Sequence, residues 1–239
     1  MNIKDLKIDI YADGSSLKEI EDYSSNNLIK GFTTNPSLMK MANVSDYATH
    51  SKEIIKTVSP KPVSLEVFSD DLDEMYHQAK ILSSWGRNVQ VKIPITNTKN
   101  VSCCELIKVL IEEKIQVNVT AVFTLDQVEK ALDALNNSQF SILSIFSGRI
   151  ADTGIDPEII CKKAVQNRNE LSSNVKILWA SSREIFNLIQ ADRVGCDIIT
   201  LSYGLLGKIN NLGKDLNRYS LETVLMFYKD AKASGYKLT

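Results

Sequence analysis

The sequence predicts an α/β protein, a single (β/α)8 barrel with an additional C-terminal helix. Strand-like and helix-like stretches alternate along all 239 residues, and eight strands, each followed by helix, are what such a barrel requires at this length. An open doubly wound sheet is the alternative, but no strand is followed by G-x-G-x-x-G. No linker rich in Pro, Gly or Ser interrupts the alternation, so residues 1–239 are expected to form one domain.

Each element is predicted from the local spacing of its apolar residues and from its end signals. Short runs rich in β-branched residues predict strands at 7–13, 31–34, 62–68, 88–93, 115–120, 139–144, 175–180 and 197–201. Longer amphipathic stretches predict helices at 15–27, 41–58, 72–85, 101–113, 125–135, 157–171, 183–194 and 221–233. A serine is expected to cap the first helix, and Asn35-Pro36 suits the N-cap and first position of a helix. The C-terminal helical segment spans about 205–239.

Composition argues against several classes of partner. The net charge of −1 gives no basic field that would attract nucleic acid. With 44% hydrophobic residues the chain can fill a core, but no apolar run approaches the roughly 20 residues that a membrane span needs. The first residues lack the apolar stretch of a signal peptide. We therefore expect a cytoplasmic protein with neither a nucleic acid nor a membrane as partner.

Cysteine and histidine usage gives no sign of a disulfide framework or a metal. Cys103 and Cys104 are neighbours that cannot easily bridge each other, and no C-x-x-C pair is present. His50 and His77 have no histidine four residues away and no nearby cysteine. The expectation is a reducing compartment and no metal site.

The fourth strand carries a lysine on the face that should look into the barrel. The stretch 88–94 alternates strictly, so Val89, Val91 and Ile93 point one way and Lys92 the other. Helical patterns on both sides indicate that the outer face of this strand is covered. The polar face then looks towards the barrel axis.

Several other strands place polar residues on the same inner face. The inward set contains Asp13, Glu66, Lys92, Asn118 and Thr120, and the same alternation places Phe68 inward. Burying such polar groups unpaired would cost several kcal/mol, so they must satisfy one another, ordered water or a ligand.

A structural and a catalytic interpretation of these residues compete. A buried salt-bridge cluster would contribute little stability, since desolvation offsets most of the attraction. Position favours catalysis, because Asp13, Lys92 and Thr120 lie at or near the carboxyl ends of their strands, which form the catalytic rim of this fold. A neutral amine there could attack a sugar carbonyl. Glu66 with the Thr120 hydroxyl would position a water, and Asp13 would be the base for carbon–carbon cleavage.

Seven segments, in order from about residue 8 to 202, resemble the transaldolase family with its fructose-6-phosphate aldolase relatives. They are I-Y-A-D at 10–13, T-T-N-P-S at 33–37, S-L-E-V at 64–67, V-K-I-P at 91–94, N-V-T at 118–120, S-I-F-S-G-R-I at 144–150 and A-S-S-R at 180–183. The last two are similar to the family's S-P-F-V-G-R-I and A-S-F-R.

The resemblance implies a Schiff-base enzyme that needs no cofactor. It implies that Lys92 forms an imine with a ketose phosphate, that Glu66 and Thr120 hold the catalytic water, and that Asp13 deprotonates the C4 hydroxyl. The implied substrate-binding residues are Thr34, Asn35, Asn118, Ser144 and Phe146. The implied phosphate-binding residues are Arg149, Ser181 and Arg183, where a guanidinium fork suits the anion.

The implied activity is transfer of dihydroxyacetone from sedoheptulose 7-phosphate or fructose 6-phosphate to an aldose phosphate, as in the pentose phosphate pathway. Glu66 favours transfer, because the bacterial fructose-6-phosphate aldolase resembled here has glutamine at this position, and Asn118 points the same way. Two alternatives stay open. One is a Schiff-base lyase or a variant acting on another sugar in carbohydrate biosynthesis, and the other is a barrel that only senses sugar phosphates.

Five positions depart from the family pattern. They are Gly14 for Thr, Ile145 and Ser147 for Pro and Val, Ser182 for Phe, and Ser202 for Pro. None removes an assigned chemical group, but together they are expected to alter the pocket wall and so the acceptor or the sugar.

Three of the implied binding residues also have simpler interpretations. Asn35 could be only a helix cap and Arg149 a surface residue, although Gly148 would give a phosphate access to the backbone. Arg183 could merely begin its helix, but an arginine at that positive end favours an anion beside it.

The resemblance also implies a homo-oligomer, because short relatives are often decamers built of pentamers. The predicted helix at 221–233 could pack on a neighbouring subunit or cover its own barrel.

Overall fold

The structure is a computed structural model that describes residues 3–136, 138–171 and 174–238. Eight parallel strands pair in chain order, and β8 pairs with β1 to close the barrel. The strands are β1 (Asp9–Asp13), β2 (Ile29–Thr33), β3 (Val63–Glu66), β4 (Val89–Pro94), β5 (Val117–Val122), β6 (Ile142–Ile145), β7 (Lys176–Trp179) and β8 (Ile198–Ser202). The predicted α/β class and (β/α)8 barrel are confirmed.

Helices surround this barrel and continue beyond its last strand. They are α1 (Leu17–Ser24), α2 (Pro36–Met41), α3 (Tyr47–Val58), α4 (Leu72–Ser84), α5 (Cys104–Glu112), α6 (Leu125–Ala134), α7 (Ser147–Ala151), α8 (Pro157–Glu170), α9 (Phe186–Val194), α10 (Tyr203–Leu206) and α11 (Leu216–Ser234). The short helices α7 and α10 were not predicted, because four or five residues are too few to show a helical period. The helix predicted at 41–58 is wrong at its start, since α2 ends at Met41 and α3 begins at Tyr47.

The residues at which the helices begin agree with the sequence predictions only in part. The side chain of Asn35 accepts a hydrogen bond from the backbone N–H of Leu38 and Pro36 follows, as predicted for the cap of α2. A serine stands at the N-cap of α1 as predicted, but the side chain of this residue, Ser16, makes no capping hydrogen bond. The helix predicted from residue 183 begins at Phe186, since Asn187 Oδ1 accepts from the backbone N–H of Arg183 and holds a turn there.

The strand alternation separates two apolar layers. Val91, Ile93 and their counterparts on the other strands are buried in the main core between barrel and helices. A second, smaller cluster of the opposite parity fills part of the interior; it consists of Tyr11, Ile142, Leu178, Ala180 and Ile198. The remaining inward positions are polar. The inward placement of Phe68 is wrong, because β3 ends at Glu66 and the Phe68 side chain, 63% exposed, packs edge-on against Tyr47.

The register of the sheet brings the polar residues to one end of the barrel. Glu66 lies beside Lys92, and Lys92 beside Asn118. On the other side of the ring, Asp13 lies between Thr33 and Ser202. Because parallel strands share one carboxyl end, this register places their side chains around one opening.

The last helix stands apart from the barrel core. None of the described residues of α11 is buried, although the helix carries exposed apolar side chains, including Leu221, Val224, Phe227 and Tyr228. The helix therefore does not cover the barrel of its own chain. Thr239, the last residue of the predicted C-terminal segment, lies outside the described residues. Within the described ranges, no helix is long and apolar enough to cross a membrane.

Candidate active site

The lysine of β4 lies inside the barrel, where the alternation places it. Val91 and Ile93 are fully buried in the outer apolar layer, and this fixes Lys92 on the inner face at 6% exposure. The Lys92 amine, Nζ, lies 2.9 Å from Glu66 Oε2. It also donates a hydrogen bond of 2.8 Å to the carbonyl oxygen of Thr34. The amine is thus buried and held by two acceptors at the carboxyl end of the strands.

Glu66 reaches the lysine from the neighbouring strand. Its register position beside Lys92 aligns the two side chains, and its carboxylate is largely screened from solvent. The Tyr47 hydroxyl donates to the Glu66 backbone carbonyl at 3.1 Å and so ties the end of β3 to α3. Burial raises the pKa of Tyr47 to about 12, so this hydroxyl stays a donor near neutral pH.

Asp13 is the last residue of β1 and lies on another side of the opening. Its Oδ1 accepts a hydrogen bond of 2.8 Å from the Thr33 hydroxyl. Burial raises the pKa of Asp13, and the Thr33 hydrogen bond and the positive charge of Lys92 oppose that rise. A carboxylate made more basic by burial suits the base predicted at this position.

A chain of polar side chains fills the barrel interior beneath the opening. Ser144 donates to Asn118 Oδ1 at 2.7 Å, and Asn118 Nδ2 donates to the Ser64 hydroxyl at 3.0 Å. Ser64 in turn donates to Gln90 Oε1 at 3.1 Å. Thr120 Oγ1 lies nearby, buried and without a partner among the described residues. A hydroxyl in that state is available to a water or substrate atom.

These side chains surround a cavity of about 280 Å³. Of the twelve predicted site residues, ten line it: Asp13, Asn35, Lys92, Asn118, Thr120, Ser144, Phe146, Arg149, Ser181 and Arg183. Glu66 does not line the cavity but contacts it through Lys92. A larger cleft of about 520 Å³ lies elsewhere, against α5 and α6, and no predicted residue lines it.

The two residues after β2 differ in what they offer the site. The Thr34 side chain is fully buried and donates to the Ser64 carbonyl at 3.0 Å, so the structure does not bring it to the cavity. Only the Thr34 carbonyl contacts the site, through Lys92. Asn35 caps α2 and also lines the cavity, so both interpretations of this residue are compatible with its position.

Two arginines line one side of the cavity. The Arg149 guanidinium lies 5.1 Å from the centre of the Phe146 ring. Arg183 donates to Asp152 Oδ2 through Nε at 3.0 Å and Nη2 at 2.6 Å, and this contact holds the pKa of Asp152 below its usual range. The anion beside Arg183 in this structure is therefore a carboxylate of the protein itself.

Gly148 brings these two groups together. A Cβ at Gly148 would lie 1.6 Å from the carbonyl oxygen of Ser181, so only glycine allows α7 to approach the end of β7 this closely. The prediction that Gly148 leaves its backbone open is wrong for the N–H, which donates to the Ala180 carbonyl at 3.3 Å. Arg149, the residue after Gly148, lines the cavity together with Ser181.

Sequence analysis missed several cavity residues on β2, β7 and β8. They are Thr33, Leu178, Ala180, Ser182, Thr200 and Ser202. The signal for β8 was present in the sequence, because Ile199 and Leu201 belong to the outer layer and Thr200 must then point inward.

One departure from the family pattern has a local structural reason. A Cβ at Gly14 would lie 2.0 Å from the Tyr203 ring, which stacks on Tyr23 at 5.2 Å between ring centres. Gly14 thus makes room for the first residue of α10. The Tyr203 hydroxyl is buried without a partner among the described residues.

The fold and this geometry define a class, that of (β/α)8 barrels with a buried lysine and carboxylates at the carboxyl end of the strands. Within the described chain, no group of three or more His, Cys, Asp or Glu side chains could hold a metal ion.

Comparison with known proteins gives the family. Residues 10–238 match the family model described as "Transaldolase/Fructose-6-phosphate aldolase". The chain belongs to the transaldolase/fructose-6-phosphate aldolase family.

Curated relatives cover most of the chain. A "Probable transaldolase" of Nitrosopumilus maritimus is 34% identical over 95% of this chain and 97% of its own length. A "Probable transaldolase 2" of Listeria monocytogenes is 32% identical over 83% of this chain and 87% of its own length.

Solved structures of low identity share the fold alone. A putative lyase/mutase from Burkholderia cenocepacia has 10% identity and a TM-score of 0.60 over 97% of this chain and 85% of its own. KGPDC from Streptococcus mutans has 13% identity and a TM-score of 0.55 over 82% of this chain and 88% of its own. Both likenesses agree with the closed eight-stranded barrel.

Proposed function

We propose that this protein transfers a dihydroxyacetone unit from a ketose phosphate to an aldose phosphate through an imine on Lys92. Sedoheptulose 7-phosphate and fructose 6-phosphate are the proposed donors. The observation that carries the proposal is the buried Lys92 amine, paired with Glu66 and facing a cavity that Asp13 and two arginines also line.

Imine formation uses the Lys92–Glu66 pair. The amine attacks the C2 carbonyl of the ketose only after it gives up a proton, and the Glu66 carboxylate at 2.9 Å is a basic group placed to take that proton. The carbinolamine then loses water, which needs a proton donor. A water held between Glu66 and the Thr120 hydroxyl, which has no partner among the described residues, supplies that proton and accepts one on the return path.

Cleavage uses the carboxylate of β1. Asp13 takes the proton of the C4 hydroxyl, C4 becomes the aldehyde carbon, and the electron pair of the C3–C4 bond moves towards the iminium nitrogen. An enamine of dihydroxyacetone stays on Lys92 while the aldose phosphate leaves. Addition of the enamine to a second aldose phosphate reverses these steps. Asn118 and Ser144, already joined by a hydrogen bond, hold the hydroxyls of the three-carbon fragment.

The phosphate binds at the arginine side of the cavity. Arg149, Ser181 and Arg183 line that side, and planar guanidinium donors suit a phosphate dianion. The names of the two relatives described above, "Probable transaldolase" and "Probable transaldolase 2", support transfer over release of the three-carbon fragment.

An imine-trapping experiment tests the proposal. Borohydride reduction in the presence of fructose 6-phosphate should attach the three-carbon fragment or the whole sugar to Lys92, as read by mass spectrometry of the peptides. Lys92→Met should give no adduct, whereas Lys108→Met, a change at a surface lysine paired with Glu105 and Asp133, should still give one. No adduct with any ketose phosphate would end the proposal.

An acceptor assay separates transfer from lyase activity. Product formation that requires an added aldose phosphate indicates a transferase. Release of free dihydroxyacetone at the same rate without acceptor would instead indicate the lyase.

A further inference from the structure

Two threonine hydroxyls, one from each strand that flanks β1, are linked by hydrogen bonds to Asp13, Thr33 directly and Thr200 through Thr33. Thr33 ends β2 and is 4% exposed, and Thr200 on β8 is 5% exposed. Thr33 Oγ1 lies 2.8 Å from Asp13 Oδ1 and 2.5 Å from Thr200 Oγ1. The three side chains therefore form a hydrogen-bonded row in the wall of the cavity, which all three residues line.

The direction of these hydrogen bonds follows from the chemistry of the groups. An ionised carboxylate only accepts, so the Thr33 proton points to Asp13 Oδ1. Thr33 has one proton, and its contact with Thr200 must then be one in which the Thr200 hydroxyl donates. The Thr200 proton points to Thr33 Oγ1 and the Thr33 proton to Asp13 Oδ1. Among the described residues no side-chain donor is recorded for Oδ2, which is left for the substrate.

We propose that Thr33 and Thr200 are a positioning pair that holds Asp13 by Oδ1 and directs Oδ2 at the C4 hydroxyl of the bound ketose. The proposal rests on the proposed function, in which Asp13 is the base of carbon–carbon cleavage. The C4 hydroxyl proton moves to Oδ2, and the row of hydroxyls keeps its direction before and after the transfer. Thr33 acts directly on Asp13, and Thr200 acts through Thr33.

The charge environment of Asp13 agrees with this arrangement. Burial raises the pKa of Asp13, and the Thr33 hydrogen bond lowers it by favouring the ionised form. Loss of the Thr33 hydroxyl should therefore raise the pKa of Asp13 further. Since the base works ionised, the acidic limb of the pH profile for cleavage should move to higher pH.

Thr33→Val tests the direct contact, because valine keeps the shape and removes the hydroxyl. We expect the acidic limb of kcat to rise by about one pH unit and kcat at neutral pH to fall about tenfold, as for loss of one hydrogen bond to a charged group. Borohydride trapping on Lys92 should be unchanged. Thr33→Ser, which keeps the hydroxyl, should restore both kcat and the pH profile.

Thr200→Val tests the indirect contact. It should change kcat and the pH profile in the same direction but less, and Thr33→Val with Thr200→Val should equal Thr33→Val alone. Additive losses would show that Thr200 does not act through Thr33 and would overturn the pairing.

A readout that does not depend on activity keeps the proposal distinct from the proposed function. The infrared carboxyl band that titrates in the parent and is lost in Asp13→Asn belongs to Asp13, and Thr33→Val should move its titration to higher pH. An unmoved titration overturns the positioning pair, even if the enzyme transfers dihydroxyacetone. A second outcome is a shifted Asp13 titration in a protein that traps no imine. This result would confirm the contact between Thr33 and Asp13, but it would reject both the proposed function and the role of the pair in positioning a base.

Discussion

Arg183 lines the cavity, and it forms an ion pair with Asp152, which does not line it. Asp152 accepts hydrogen bonds from Nε and Nη2 of the Arg183 guanidinium, and Arg183 also lines the cavity. This arrangement holds the arginine in place for a phosphate, in the way that a second hydrogen-bonding partner fixes a planar fork. Asp152 is therefore expected to affect the binding of phosphorylated substrates and not the chemistry at Lys92.

Asp152→Asn should raise KM for the phosphorylated donor by about two- to fivefold, since the pair is half exposed, and leave kcat nearly unchanged. KM for an unphosphorylated ketose should not change. Steady-state kinetics with both substrates measure this split. Asp126→Asn, which breaks the exposed pair with Lys130, is the matched control. A lower KM in Asp152→Asn would mean that the carboxylate competes with the phosphate and would contradict the positioning role.

Asp13 should also make stability depend on pH. Its pKa is raised in the folded protein, so the native state binds the proton more tightly than the unfolded chain does. The favourable contribution is present at pH below the unfolded value and is lost as pH rises through the folded pKa. Asp13→Asn keeps the acceptor for Thr33 but carries no charge. It should therefore raise Tm at pH 7, by about 2–4 °C per kcal/mol gained, and this advantage should vanish at acidic pH. Calorimetric scans at the two pH values decide the sign.

At the scale of elements, the junction of β1 and α10 depends on Gly14, because a residue with a side chain at this position would collide with Tyr203. Gly14→Ala would place a Cβ 2.0 Å from the Tyr203 ring, which is itself held by its stack on Tyr23. We expect this substitution to cost about 1–3 kcal/mol of unfolding free energy, as overpacking does in a close-packed site.

Two further variants make this prediction specific. Gly204→Ala, in α10, meets nothing within 4 Å and should leave stability nearly unchanged. Combining Gly14→Ala with Tyr203→Leu should recover part of the loss, measured as a coupling energy in denaturant unfolding. Equal costs for the two glycines would show that Tyr203 moves away freely.

The strands that carry Lys92, Asp13, Asn118 and Thr120 could be predicted because their alternation has a period of two and one face is buried. The bounds of these strands were less accurate, as at Phe68, because a strand ends where its neighbour stops pairing. Two side-chain contacts in and beside the site could not be predicted from the sequence. Thr33 and Thr200 contact each other across β1, and the contact of Arg183 with Asp152 joins two loops; neither contact leaves a pattern in local sequence.

For the whole molecule, α11 is the feature without an intramolecular explanation. It is 19 residues long, none of its described residues is buried, and the side chains of Leu221, Val224, Phe227 and Tyr228 form an exposed apolar face. Exposed apolar faces of this kind mark interaction surfaces. The homo-oligomer expected from the sequence resemblance would cover this face, and we propose that α11 packs against another copy of the chain.

If α11 packs against another copy, removal of residues 213–239 should lower the mass measured in analytical ultracentrifugation, while circular dichroism keeps the signal of the barrel. A charge on the apolar face, Phe227→Glu, should act in the same direction because it would be desolvated at the contact. Lys229→Glu, on the charged side of the same helix, should leave the mass unchanged.

Because the cavity is lined by residues from Asp13 to Ser202, the dissociated form should still trap an imine on Lys92. An unchanged mass in both the truncated protein and Phe227→Glu would contradict a role of α11 in assembly, and loss of trapping on dissociation would show that the site needs the neighbouring copy.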